Sequence, residues 1–277
     1  MKPPPEPLRG TRAVTSLQNE RVKFIRALEM RKTRRETGLF VAEGASVLVS
    51  ARDAGWKPRM LVFLAASAGS GVHRELLLWA ERAGAECLEV SEAVLGKLAA
   101  KDNPQTMLGV FEQRWVNEPE TATVAGDAVW LALEAVRDPG NLGTIVRTVD
   151  AVGAVGVILI GNCVDPYSRE CVRATMGSIF DVAMVRMAPE RFRAWAATWR
   201  GDIVGTQLAA RADFRRVAYR APTLLLMGSE GPGLSPELAA VCTRLVKIPM
   251  AGRLDSLNLA VATALVLYEI RKERLRL

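Results

Sequence analysis

The sequence contains only one histidine, His73, and its four cysteines are not arranged in pairs. A single histidine in a polar stretch argues against Ser-His-Asp hydrolysis and against a histidine-rich metal site. The cysteines show no CxxC spacing, which argues against a zinc site and against a disulfide framework. We therefore expect no bound metal, and we interpret the cysteines as buried free thiols. They are Cys87, Cys163, Cys171 and Cys242.

Long apolar runs are also missing, because no stretch of the 277 residues is apolar over the length that a bilayer requires. The first residues, MKPPPEPLRGTR, are too polar and too rich in proline for a signal peptide. We interpret residues 1–13 as a flexible tail, and we expect a cytoplasmic protein without membrane contact. With 49% hydrophobic residues, the chain can form one large domain or two ordinary ones.

Acidic residues are outnumbered, since 37 Lys and Arg against 30 Asp and Glu give a formal net charge of +7. A basic balance favours a polyanionic partner. The excess is concentrated in residues 20–35, where basic side chains dominate a helix-like stretch. We favour contact with nucleic-acid phosphates over a merely solvated helix face. The candidate RNA-binding residues are Arg31, Lys32, Arg34 and Arg35.

The first half of the chain alternates short apolar runs with helix-like segments, which predicts a small α/β domain over residues 14–115. Residues 16–19 are expected to cap a helix that runs to Lys32. Residues 116–128 are polar and have no apolar period, so we place a linker and a domain boundary there. The predicted strands of this domain are 39–44, 59–64, 86–90 and 107–111.

Residues 129–277 contain more regular and more apolar strand-like runs, most of them separated by helix-length segments. This alternation predicts a mainly parallel sheet that helices cover on both faces. Ligands of such sheets bind beside the carboxyl ends of the strands, so the loops that leave those strands form the candidate site. The predicted strands are 129–134, 155–161, 182–187, 202–208, 223–228 and 245–249.

Two of these loops combine flexible backbone with polar side chains. Residues 134–154, EAVRDPGNLGTIVRTVDAVGA, form a turn before a helix, and Asn141 and Arg147 could face one crevice. Residues 224–235, LLLMGSEGPGLS, form a glycine-rich loop with one carboxylate, Glu230. This loop lacks the lysine of a P-loop and the spacing of a GxGxxG fingerprint. Each loop alone is also consistent with a plain turn or a helix cap.

The third loop lies in residues 248–269, IPMAGRLDSLNLAVATALVLYE. The strand before it ends at a proline, and Asp255 or Ser256 can cap a helix that begins near Leu257. A capped core helix explains this stretch except for Asn258, a polar residue in the first turn. The apolar face of this helix is expected to comprise Leu257, Val261, Leu265 and Tyr268.

Taken together and in this order, the three loops resemble the SpoU (TrmH-like) branch of the SPOUT family of RNA ribose methyltransferases. The resemblance rests on Asn141-x-Gly143-x-x-x-Arg147, on GSEGPGLS and on IPMAGRLDSLNLAVATALVLYE, and it covers about residues 129–274. NERVKFIRALEMRKTRRETGLFVAEG in the first half is more loosely similar to the RNA-binding domain of that family. One departure is Val149, where the family usually has alanine.

The resemblance implies a six-stranded parallel sheet with a deep trefoil knot, after a small α/β RNA-binding domain. It implies a homodimer whose active site draws on both subunits, with S-adenosyl-L-methionine bound in the knot. The implied reaction is methyl transfer to a ribose 2′-hydroxyl. Ribosomal RNA is favoured as the substrate because this N-terminal domain accompanies the rRNA-modifying members, and a tRNA 2′-O-methyltransferase is the alternative. The implied cofactor-binding residues are Thr206, Gly228, Gly231, Ile248, Met250 and Leu257.

The implied catalytic residues are Asn141, Arg147, Glu230, Ser256 and Asn258. A ribose hydroxyl is a poor nucleophile until its proton is removed or polarised, and the family assigns this role to the arginine. Because a guanidinium is almost always protonated, we expect Arg147 to position the phosphate and hydroxyl, with Asn141 orienting it. Two other classes remain open: a non-catalytic RNA-binding or ribosome-assembly protein with this fold, and an oxidoreductase, which the missing GxGxxG loop disfavours.

Overall fold

The computed structural model describes residues 11–69, 71–99 and 106–275, so most of the predicted tail lies outside the described residues. The strands in these ranges are β1 (Thr11–Val14), β2 (Leu39–Glu43), β3 (Met60–Leu64), β4 (Glu86–Val90), β5 (Met107–Glu112), β6 (Val129–Glu134), β7 (Gly156–Ile160), β8 (Ala183–Met187), β9 (Asp202–Thr206), β10 (Ala212–Asp213), β11 (Thr223–Met227) and β12 (Arg244–Lys247). The α-helices in these ranges are α1 (Glu20–Ala27), α2 (Arg31–Thr37), α3 (Ala45–Asp53), α4 (Gly71–Arg82), α5 (Glu92–Leu98), α6 (Pro139–Ala151), α7 (Arg169–Ala174), α8 (Pro189–Ala196), α9 (Pro236–Ala239) and α10 (Leu259–Arg271).

The contacts within the chain divide it into two compact units. The first comprises Met1–Gln113 and Tyr167–Phe180, and the second comprises Arg114–Pro166 and Asp181–Leu277. A short segment from the second half of the sequence is therefore part of the first unit. Among the described residues, no helix combines the length and the apolar composition needed to cross a membrane.

The first unit is built on a five-stranded sheet with the order β1-β4-β3-β5-β2. β1, β4 and β3 run parallel to one another, whereas β5 is antiparallel to both β3 and β2. The four strands that the sequence predicts here are confirmed to within one residue at each end, and β1 was not predicted. β1 pairs in parallel with β4, which is distant in the sequence. No hairpin turn therefore marks β1 in the sequence.

The predicted single helix from residue 20 to Lys32 is wrong, because the chain forms α1 and α2 with a break between them. Asn19 caps α1 as expected, and its side chain accepts a hydrogen bond from the N–H of Arg21. At the break, the guanidinium of Arg34 donates to the carbonyls of Leu28 and Glu29 at 2.8 and 2.7 Å. These contacts satisfy carbonyl groups that a continuous helix would have satisfied with backbone N–H groups.

The segment Tyr167–Phe180 completes the core of the first unit. The ring of Tyr167 lies 4.8 Å from that of Phe40, and the ring of Phe180 lies 5.0 Å from that of Trp56. The indole N–H of Trp56 also donates to the Phe180 carbonyl at 2.8 Å. Arg169 forms a 2.9 Å ion pair with the buried Glu43, and burial lowers the pKa of this arginine.

The second unit is built on a parallel sheet with the strand order β10-β12-β9-β11-β6-β7-β8. The parallel sheet is confirmed, but it has seven strands rather than six because the two-residue β10 pairs with β12. Every residue of β7 and β11 is buried, as expected for strands that are covered on both faces. The trefoil knot implied by the resemblance stays a prediction.

The segment predicted as a linker, residues 116–128, forms hydrogen bonds within the second unit. The N–H of Val116 donates to the carbonyl of Met184 at 3.0 Å. The indole N–H of Trp195 donates to the carbonyl of Pro119 at 2.9 Å. A polar segment without apolar periodicity is therefore held by its backbone groups, which a hydropathy pattern does not reveal.

Candidate functional site

A cavity of about 720 Å³ lies where neighbouring parallel strands of the second unit end. Its walls come from the loops that follow β9, β11 and β12 and from the start of α10. The volume is within the range of about 300–1,000 Å³ that is usual for small-molecule sites. All six residues predicted to bind the cofactor line this cavity, namely Thr206, Gly228, Gly231, Ile248, Met250 and Leu257.

The loop after β11 folds back on itself to form one wall. A Cβ atom on Gly228 would lie 1.9 Å from the carbonyl carbon of Gly233, so no other residue fits there without moving the loop. Gly233 has a φ of +73°, and its N–H donates to the carbonyl of Ser229 at 3.2 Å. Two of the three glycines are thus required by the backbone path, whereas a Cβ on Gly231 would meet no atom within 4 Å.

The loop after β12 also lines the cavity and is unusual in its hydrogen bonding. Within the described part of the chain, residues 248–257 form no backbone–backbone hydrogen bond. Backbone N–H and C=O groups that lack a partner in the protein are satisfied by water or by a ligand. This loop therefore offers a ligand in the cavity both donors and acceptors.

Asn258 ends this loop and begins α10. Its Oδ1 accepts hydrogen bonds from the N–H groups of Ala260 and Val261 at 2.9 and 3.3 Å. The prediction that Asp255 or Ser256 caps the helix is therefore wrong by two or three residues. Both of those side chains line the cavity instead.

Three predicted catalytic residues meet in one chain of hydrogen bonds. Asn258 donates through Nδ2 to Oδ1 of Asn141 at 2.9 Å, and Asn141 donates through Nδ2 to Oε1 of Glu230 at 3.2 Å. The direction of this relay is fixed at both ends. Oδ1 of Asn258 already accepts from the helix, and the Glu230 carboxylate can only accept while it is ionised.

The Glu230 carboxylate also holds the loop after β6. It accepts from the N–H groups of Arg137 and Asp138 at 3.3 and 3.4 Å. Asp138 in turn caps α6 by accepting from the N–H of Asn141 at 2.6 Å. The residue before this turn, Ala135, has a φ of +49°, which is a backbone conformation that L residues rarely adopt. The turn is thus held by Glu230 from the loop after β11 and by its own Asp138.

Arg147 does not join this network. It is exposed on α6, it does not line the cavity, and within the described ranges its side chain forms no hydrogen bond or ion pair. Six residues of helix rotate by about 600°, which places Arg147 about 120° around α6 from Asn141. The prediction that both residues face one crevice of the same chain is wrong, and the Asn141 amide bonds Asn258 and Glu230 rather than orienting this arginine.

The predicted apolar face of α10 is exposed rather than buried. Val261, Leu265 and Tyr268 are 49%, 42% and 50% exposed, and Leu257 just before the helix is 38% exposed. The opposite side of the helix, which includes Leu267, is buried. The four residues therefore share one side of the helix as predicted, and a second apolar side is buried because α10 is apolar around most of its circumference.

The basic residues of α2 differ in accessibility. Arg31, Lys32 and Arg35 are exposed, as a phosphate contact requires. Arg34 is only 4% exposed, because it donates to the carbonyls at the break between α1 and α2. The prediction that Arg34 binds RNA is therefore corrected: its guanidinium supports the local fold.

Sequence reasoning missed two residues that organise the site. Glu134, the last residue of β6, accepts a hydrogen bond from the N–H of Ser235 at 2.8 Å. No local signal marks this contact, because the two residues are 101 positions apart. Asp138 was interpreted as part of a turn, although Asp followed by Pro139 is a known signal for a helix start.

No cysteine of the described residues lines this cavity, and the acidic residues that line it are Glu230 and Asp255. Within the described ranges, no cluster of His, Cys, Asp and Glu is suited to hold a metal ion. The four cysteines are free, and three of them are buried. Burial raises the pKa of Cys242 to about 12 and that of Cys87 to about 11, which keeps both thiols protonated.

Both halves of the chain are similar to known protein families. Residues 128–268 match the SpoU rRNA Methylase family, and residues 19–109 match the MRM3-like substrate binding domain. A 23S rRNA (uridine(2479)-2'-O)-methyltransferase from Streptomyces viridochromogenes is 31% identical over 96% of this chain and 94% of that protein. A 23S rRNA (guanosine(2553)-2'-O)-methyltransferase from Bacillus subtilis is 27% identical, over 93% of this chain and 98% of that protein.

A solved structure agrees with these relatives. The crystal structure of an AdoMet-bound rRNA methyltransferase from Sinorhizobium meliloti matches with a TM-score of 0.89 and 42% sequence identity. The match covers 96% of this chain and 100% of that one. The similarity therefore includes both units of the fold and not only the part that contains the cavity.

Proposed function

The chain belongs to the SpoU family of rRNA methylases, and from that membership we propose that it is an S-adenosyl-L-methionine-dependent RNA 2′-O-methyltransferase. The observation that carries the proposal is the hydrogen-bonded relay of Asn258, Asn141 and Glu230 at the rim of a large cavity. The relay brings three separate sequence motifs to one place. Residues chosen only for packing would not require a directed chain of amide and carboxylate groups.

The cavity fits the cofactor in size and in the chemistry of its walls. S-adenosyl-L-methionine supplies an electrophilic methyl group on its sulfonium when it is bound. The backbone groups of residues 248–257 that have no backbone partner can bind the polar edges of the ligand, and the loop 228–234 lines the same cavity. The side chains of Leu257 and Met250 contribute apolar surface to the lining.

We propose that the ribose hydroxyl is positioned by residues of two subunits. Ser256 and Asn258 line the cavity of one chain, where they can hold the ribose beside the methyl donor. Arg147 points away from that cavity, and it lies on a helix that packs against α10. In a homodimer that buries the exposed face of α10, Arg147 reaches the cavity of the partner chain and holds the RNA phosphate and hydroxyl there.

The exposed apolar face of α10 is the proposed dimer surface. Four large apolar side chains, at Leu257, Val261, Leu265 and Tyr268, form one stripe along the helix and the residue before it. A contiguous apolar stripe of this kind is typical of a protein interface. Because a twofold interface pairs the same surface of both chains, α10 would pack against its own copy.

We propose ribosomal RNA as the substrate. Residues 14–115 would bind the RNA and residues 129–277 would catalyse methyl transfer within the knotted fold. Residues 116–128 would connect these two domains. The exposed Arg31, Lys32 and Arg35 of α2 supply phosphate contacts that position the RNA without reading its sequence. A ribosomal substrate agrees with the cytoplasmic location expected from the sequence. The two relatives are named for a uridine and for a guanosine, so members of this family differ in the base of the nucleotide that they modify.

A methyl-transfer assay tests the function. The purified chain is incubated with methyl-labelled S-adenosyl-L-methionine and with ribosomal RNA or tRNA from cells that lack the protein. We expect label in ribosomal RNA, at a position that resists alkaline cleavage because its 2′-oxygen is methylated. Label in tRNA alone would contradict the proposed substrate. RNA binding without any transferred label would instead identify a non-catalytic RNA-binding protein.

A further inference from the structure

Two carboxylates join the loops after β6 and β11 in opposite directions. β6 and β11 are neighbours in the sheet, with Leu133 opposite Met227. Glu134, the last residue of β6, accepts a hydrogen bond from the N–H of Ser235 in the loop after β11, at 2.8 Å. Glu230 in that same loop accepts from N–H groups of the loop after β6.

The two contacts hold different parts of the cavity wall. Glu230 fixes the middle of the loop 228–234, and its own side chain lines the cavity. Glu134 does not line the cavity, but it fixes the point at which that loop ends. Ser235 then begins α9, because its Oγ accepts from the N–H of Leu238 at 3.3 Å. The wall is thus fixed at its start by β11, in its middle by Glu230 and at its end by Glu134.

We propose that Glu134 is a positioning residue for cofactor binding, which acts through Ser235 by holding the loop 228–234 in its binding conformation. This inference rests on the proposed function. A hydrogen bond to a carboxylate is shorter and stronger than a neutral one, so its loss releases the end of the loop. The loop must then be ordered when the cofactor binds, and the entropy of ordering reduces the affinity.

The geometry also predicts which kinetic constants change. Within the described residues, Glu134 accepts from the Ser235 N–H and forms no hydrogen bond with Asn141 or Asn258. Ser256 and Asn258, which are proposed to position the ribose, lie on another loop, and Glu230 keeps its own hydrogen bonds to the N–H groups of Arg137 and Asp138 when Glu134 is lost. The affinity for the cofactor should fall, while the affinity for RNA and the turnover number at saturation should change little.

Three substitutions of the full chain test this role. Glu134→Gln keeps an acceptor oxygen at the same distance from the backbone, Glu134→Asp keeps the charge but withdraws the acceptor by one methylene, and Glu134→Ala removes it. Glu237→Ala is the matched control, because Glu237 is an exposed carboxylate two residues beyond Ser235 and lies outside the cavity. The Kd for S-adenosyl-L-methionine is measured by titration calorimetry, and KM is measured separately for cofactor and RNA.

We expect the Asp and Ala variants to raise Kd and KM for the cofactor by about tenfold, since a charge-assisted hydrogen bond is lost. The Gln variant should stay within about threefold of the parent, and KM for RNA within about twofold in all variants. Cofactor affinity in the Ala and Asp variants equal to that of the parent would overturn the inference, as would a parallel rise of both KM values. If the Ala variant does not fold, the comparison of the Gln and Asp variants tests the inference. Equal cofactor affinity in these two variants would show that the reach of the side chain to Ser235 does not matter, and would overturn the positioning role.

The same titration separates this inference from the proposed function. If the parent chain neither binds S-adenosyl-L-methionine nor methylates RNA, the proposed function fails. If the parent does both and the Glu134 variants match it, only the positioning role fails.

Discussion

The side-chain amide of Asn258 donates to the side-chain oxygen of Asn141 at 2.9 Å, although the residues are 117 positions apart. This bond joins the first turn of α6 to the first residue before α10. Asn141 in turn donates to Glu230, so both hydrogen bonds run in the same direction along the three side chains. The relay explains why an amide, rather than a carboxylate, stands at both asparagine positions.

Replacing Asn258 with Asp should separate the capping role of this residue from its role in the relay. An aspartate still caps α10, but it cannot donate to Asn141, and rotating the Asn141 amide would turn its oxygen toward Glu230. We expect kcat to fall by at least about tenfold with unchanged stability. Asn258→Ala, which also loses the cap, should lower the free energy of unfolding by about 1 kcal/mol. Denaturant unfolding and methyl-transfer kinetics measure both effects, with Asn162→Asp at an exposed site as the control.

Arg147 should act on the cavity of the partner chain. A heterodimer is prepared from one Arg147→Ala subunit and one Gly228→Ala subunit, whose new Cβ would lie 1.9 Å from Gly233. Each homodimer should be inactive, whereas the heterodimer should recover about half of the parental activity because one of its two sites is complete. An inactive heterodimer would show that Arg147 serves its own chain. Arg193→Ala, at an exposed arginine on α8, controls for the loss of a surface charge.

The exposed face of α10 should hold the dimer together. Leu265→Lys places a charge at a position that is 42% exposed in the single chain and buried in the proposed dimer. We expect this variant to sediment as a monomer, because an unpaired charge in an apolar interface is unfavourable. Val155→Lys, at a site that is 43% exposed elsewhere in the second unit, should leave the oligomeric state unchanged. Equal sedimentation of all three proteins would exclude this surface.

Arg34 and Arg35 are adjacent in sequence but should behave differently. Arg34→Ala leaves the carbonyls of Leu28 and Glu29 without a donor, so we expect a loss of about 1–3 kcal/mol in the free energy of unfolding. Arg35→Ala should leave stability unchanged and reduce the salt dependence of RNA binding by about one phosphate contact. RNA titrations at several salt concentrations, together with urea unfolding, measure both quantities. A normal salt dependence in Arg35→Ala would remove this residue from the RNA surface.

The cysteines should resist alkylation in the folded protein. With the pKa of Cys242 raised to about 12, only about one thiol in 10,000 is ionised at pH 8. We expect no labelling by iodoacetamide at that pH until a denaturant is added, as mass spectrometry of the intact chain would show. Rapid labelling of Cys242 without denaturant would mean that the region around it opens.

The strands and the loops that form the cavity could be predicted from the sequence. Buried parallel strands are near-continuous apolar runs, so their positions are visible in the hydropathy of the chain. The resemblance of three loops to a known family then pointed to Gly228, Glu230, Asn141 and Asn258, and the structure places all four at one cavity. Local patterns were sufficient here because each of these loops directly follows a strand.

The contacts that cross long stretches of sequence could not be predicted. Glu134 reaches Ser235, and Arg34 reaches two carbonyls at a helix break, through side chains whose partners depend on the folded backbone. The direction of Arg147 was also missed, because counting helical turns without the 100° rotation per residue does not tell which face a side chain occupies. For α10, hydropathy alone could not distinguish a buried face from a face that is free to bind another chain.

The segment Tyr167–Phe180 has a consequence for how such proteins can be recombined. Because its aromatic rings complete the core of the first unit, a fragment that stops at Gln113 would expose Phe40 and Trp56 to water. The N-terminal half is therefore not a portable module with a single junction. A working chimera with another RNA-binding half would have to exchange two separate stretches of chain at once, and a tolerated fusion with one junction would need a different segment to fill the same place.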